Sequence, residues 1–123
     1  MCLEWEEAWS RYLEAMRQGQ FFSAHEALEP SWRKARNPAL QSAIWWAVLF
    51  HHWQRGNLAG ALKMLEKLRR RFPLALPEVT WGALKARMAA GERLEVQRDL
   101  WPVLQALSSA LGGPSAGRGE NNR

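Results

Sequence analysis

Disulfide chemistry, membrane spans and strand patterning are all missing from this 123-residue chain. Its single cysteine, Cys2, excludes an internal disulfide and a cysteine-built zinc site within one chain. One cysteine also fits a reducing compartment. The uninterrupted apolar run at residues 43–50 is far too short to cross a bilayer. The opening Met-Cys-Leu-Glu-Trp-Glu-Glu lacks the charged-then-apolar layout of a secretory leader, so the expected location is cytoplasmic. There is no glycine-rich phosphate loop, no nucleophilic serine motif and no two-residue apolar alternation.

Apolar residues make up 47% of the chain and eight of them are Trp. That is enough to build one domain around one core. The formal charge is +5, spread along the sequence, with one dense run at residues 67–71. This run reads as a solvated helix end whose cations suit the macrodipole. Neither nucleic acid nor membrane is an expected partner.

The spacing predicts an all-α bundle of five to six helices in residues 1–111, with a disordered tail at 112–123. The organising element is a central apolar helix over about 38–55, capped by Asn37, opened by Pro38 and stopped by Gly56. Before it come a helix over 3–17, with Trp5, Trp9, Tyr12, Leu13 and Met16 on one stripe, and a second from about Gln20. Pro30 predicts a kink or break in the second helix near Glu29, because it removes a bond to the Glu26 carbonyl. A fourth helix, capped by Asn57, buries Ala61, Leu62, Leu65 and Leu68. A fifth, from 77–78 to about Ala90, is expected to turn Val79, Trp81, Leu84 and Met88 inward. A last helix over about 99–111 carries Leu100, Trp101, Val103, Leu104 and Leu107, after an ambiguous stretch at 93–97. Gly19 and Gly56 open similar Gly-to-Pro segments 37 residues apart, near the tetratricopeptide period, although two imperfect copies do not make a solenoid.

One constellation could carry chemistry. His25 and Glu29 lie four apart and share a face of the second helix. His52, three helical turns beyond Gln41, offers a second imidazole from the central helix. If these helices pack together, His25, Glu29 and His52 could bind zinc, iron or manganese and leave a position open for water. Glu26 would handle protons. The zincin motif is absent, since Glu29 stands where a second His is required. The competing reading is a buried structural network that fixes helix register. His51 reads as an ordinary interface or surface histidine.

Phe21-Phe22-x-x-His25-Glu26-x-Leu28-Glu29-x-x-Trp32, then Gln41, then His52-x-x-Arg55-Gly56-Asn57-x-x-Gly60-Ala61, resembles the domain-of-unknown-function 309 family. The resemblance implies an all-α bundle and carries the label of a predicted metal-dependent hydrolase. It places the family's polar motif on His25, Glu26, Glu29, Trp32, Gln41, His52, Arg55 and Asn57. Pro30 departs from the family pattern. Gly56, Asn57 and Gly60 have structural explanations as helix stop, cap and close approach.

Two readings follow. In the first, His25, Glu29 and His52 hold a divalent metal, Glu26 is the base and Arg55 holds an anionic substrate group. In the second, the chain is a non-catalytic helical interaction module with a protein or small-molecule partner, and its His/Glu cluster is structural. A homodimer is compatible with either.

Overall fold

The computed structural model describes residues 2–74 and 76–111, with side chains from residue 6 onward. The tail expected at 112–123 and the side chain of Trp5 lie outside the described residues. Six helices form an all-α bundle: α1 (Cys2–Arg17), α2 (Phe21–Ala35), α3 (Pro38–Gln54), α4 (Leu58–Arg71), α5 (Glu78–Ala89) and α6 (Trp101–Leu111). A single π-helical turn, Val96–Leu100, leads into α6. No strand occurs among the described residues.

Consecutive helices from α1 to α4 pack on one another, and α6 returns to α3. The expected central helix is α3. Leu40, Ala43, Ile44, Trp46, Ala47, Leu49, Phe50 and Trp53 are all buried, so apolar surface is removed from water nearly all round it. The Trp46 ring stacks on Phe50 at 5.7 Å and meets Trp81 of α5 at the same distance. Tyr12 donates from its hydroxyl to the Ala43 carbonyl at 2.8 Å, joining α1 to α3. Burial alone pushes the Tyr12 phenol well above its ordinary pKa.

Local chemistry sets the helix ends. Asn37 Oδ1 accepts from the Ala39 N–H at 2.7 Å, and Asn57 Oδ1 accepts from the Gly60 N–H at 3.1 Å. Gly19 and Gly56 take φ of +75° and +82°, the left-handed conformation that closes α1 and α3. These are the two glycines of the internal echo. Gln54 donates to the Gly19 carbonyl at 3.0 Å and holds the first turn against the end of α3.

Two expectations need correction. α2 does not break at Pro30 but runs through it from Phe21 to Ala35. Glu26 and Pro30 are both on the exposed side of the helix, where water can take the carbonyl that proline leaves unbonded. Val79 is 76% exposed rather than inward. The buried stripe of α5 is Trp81, Leu84 and Met88, and a residue two positions before Trp81 falls on the opposite face. Trp101 is 52% exposed, because Leu100, Val103, Leu104 and Leu107 already occupy the inward stripe.

Candidate functional site

α2 and α3 carry the residues singled out by spacing. On α2, the i, i+4 relation brings His25 Nε2 to 3.9 Å from Glu29 Oε2, and Arg33 Nη2 lies 3.6 Å from the same oxygen. The other ring nitrogen, His25 Nδ1, is turned inward and has no hydrogen-bond partner among the described residues. Glu26 is exposed and forms no ion pair among those residues.

His52 does not join the α2 residues. Asn57 Nδ2 donates to His52 Nδ1 at 3.1 Å. The amide is oriented because its oxygen is taken by the Gly60 N–H. A neutral imidazole has one lone pair, and here Nδ1 uses it, which places the proton on Nε2. A metal-bound histidine is arranged the opposite way, with its non-coordinating nitrogen donating. No three His, Cys, Asp or Glu side chains among the described residues lie close enough to hold an ion. The set of His25, Glu29 and His52 is therefore not brought together in this structure.

The histidine of α3 that approaches α2 is His51. Phe22 lies between the two helices, 5.8 Å from the His25 ring and 6.2 Å from the His51 ring. Phe22 is 59% exposed, so an aromatic surface flanked by two imidazoles faces solvent. Partial burial holds the His51 pKa below its ordinary value, with smaller contributions from Arg55 and His52. Arg55 is exposed at the C-cap of α3, its N–H bonded to the His51 carbonyl at 3.1 Å. Gln41 and Trp32 are half-buried, and Arg36 lies over the Trp32 ring at 4.5 Å.

A second polar cluster escaped the spacing argument. Asp99, 2% exposed, sits in the π-helical turn before α6. It accepts from Arg87 of α5, from the Glu95 N–H at 2.9 Å and from Arg98 Nε at 3.1 Å. The bond to Asp99 raises the Arg98 pKa further above its ordinary value. Every partner is a donor that satisfies the carboxylate, which is the condition for keeping a charge out of water.

None of the curated proteins and none of the solved structures compared with the chain matches it. The matching family model is the one described as Domain of unknown function (DUF309), over residues 9–64. That segment runs from within α1 into α4 and contains Phe22, His25, His51 and the Asn57 cap. Over that segment, a little under half of its length, the chain is similar to the domain-of-unknown-function 309 family.

Proposed function

We propose that the protein is a non-catalytic helical interaction module whose contact face is the α2–α3 surface around Phe22. The observation that carries this reading is the 59% exposure of a large aromatic ring between His25 and His51. Burying such a ring is strongly favoured wherever a partner covers it. Glu26 and Glu29 lie on the same helix as Phe22, Arg33 lies one turn beyond Glu29, and Arg55 is beside His51. A face that carries both signs around an aromatic centre can be complementary to itself. A second copy of the chain, related by a two-fold axis, is thus the partner it fits best. Light scattering during size exclusion tests this. A dimer that Phe22→Ser converts to a folded monomer is the expected outcome. A wild-type monomer at every concentration, or a dimer indifferent to Phe22→Ser, overturns it.

The metal-dependent reading has narrower support, the proximity of His25 and Glu29. It needs His52 to leave Asn57 and turn its ring. Elemental analysis of tag-free protein decides it. Near-stoichiometric zinc, iron or manganese that a folded His25→Ala, His52→Ala variant loses would replace the docking reading with a metal centre.

A further inference from the structure

α4 carries five cations, Lys63, Lys67, Arg69, Arg70 and Arg71, against one acid, Glu66. Lys85 of α5 joins them across a cleft between the two helices. The cleft holds about 280 Å³ and has an apolar floor of Leu62, Leu65 and Trp81. Its rim is Lys63, Arg69 and Lys85, with Glu66 the one acid. Arg69 is fixed in place by an ion pair with Glu78 and by the Trp81 ring, 5.7 Å from its guanidinium. Lys63 and Lys85 are exposed and form no ion pair among the described residues.

The size and charge of the cleft define its occupant. It falls just below the roughly 300–1,000 Å³ of sites that enclose drug-sized ligands. One apolar side chain is a better match than a cofactor. The surplus of positive charge around that floor calls for carboxylates on either side of the side chain. Nucleic acid is a poorer match, because a single strand needs aromatic rings on which bases can stack. Trp81 is only 4% exposed, while Lys67 and Arg71 lie 5.1 Å and 5.8 Å from the Trp45 ring centroid.

We propose that the α4–α5 cleft docks an acidic peptide segment, one apolar side chain resting on the half-buried Leu62, above Leu65 and Trp81, between carboxylates held by Lys63 and Lys85. None of the residues of the Phe22 face takes part, so the two surfaces stand or fall separately.

The probe is a short fluorescent peptide of alternating Glu and Leu, followed by anisotropy on the full chain. Binding should weaken as salt is raised, because the rim charges are exposed. Lys63→Glu with Lys85→Glu should weaken it about tenfold or more, as attraction becomes repulsion. Lys63→Arg with Lys85→Arg should retain it, and Phe22→Ser should leave it unchanged. Far-UV circular dichroism confirms that the charge-reversed protein is folded. Absence of binding, binding untouched by the charge reversal, or tighter binding of a single-stranded RNA of equal length overturns the proposal.

Discussion

The α3–α4 turn and the α5–α6 junction both end one helix and begin another, by different physical means. At the first, the capping bonds are local and involve no ion pair among the described residues. Gly56 supplies a left-handed residue, Asn57 caps α4, and His52 accepts from the same amide. At the second, a buried carboxylate gathers one arginine from twelve residues upstream and another from next door. Neutral caps contribute modestly and fail gently. A buried charge is stable only with its donors in place, so removing one member exposes the full cost of desolvation.

The largest effect is expected of Asp99→Ala. It leaves the part-buried Arg87 without its counter-ion and should destabilise the fold by about 3 kcal/mol in urea unfolding. A loss below about 1 kcal/mol would show that the junction is held by apolar packing and that its charges are incidental.

Next in size is a double-mutant cycle at the neutral turn. A Cβ at Gly60 would sit 2.7 Å from Asn57 Nδ2, so Gly60→Ala displaces the cap. Asn57→Ala alone should cost about 1 kcal/mol. Gly60→Ala should destabilise the wild type, yet stabilise the Asn57→Ala protein by up to about 1 kcal/mol, the helix preference of Ala over Gly. Additive effects would mean that Asn57 and Gly60 do not act as one unit.

The smallest effect concerns His51. Its folded pKa lies below the unfolded value, so the unfolded chain binds the extra proton first as pH falls. Stability from this group is present above about pH 6.5, the ordinary histidine value, and is lost as pH drops through the folded value. His51→Gln should shrink the loss of thermal stability between neutral and mildly acidic pH by no more than about 2 °C. An unchanged acid limb would assign that loss to other groups.

Sequence reasoning located the neutral parts well, because their signals are local. Asn37-Pro38, Gly56-Asn57 and the apolar run of α3 each specify a conformation within a few residues. It missed what depends on a distant partner. Nothing near Asp99 announces Arg87, and an acid beside Leu100 resembles the first turn of an amphipathic helix. The same limit acted at the histidines. Spacing placed His25 beside Glu29, as observed. It did not show whether α3 turns His51 or His52 toward α2, since adjacent residues differ by about 100° and only the packing of two helices decides. Val79 was assigned inward on apolarity alone, although the stripe it would have joined was already complete.

The last turn of α3 holds three separate parts of the chain. His52 meets Asn57, Trp53 donates from its indole N–H to the Glu92 carbonyl at 2.8 Å, and Gln54 reaches Gly19. Fraying at a helix end is usually a local and inexpensive event. Here it would release the α1–α2 turn, the start of α4 and the segment after α5 together. Fraying at this end of the bundle therefore breaks contacts with three other segments, and costs more than it would at a free helix end.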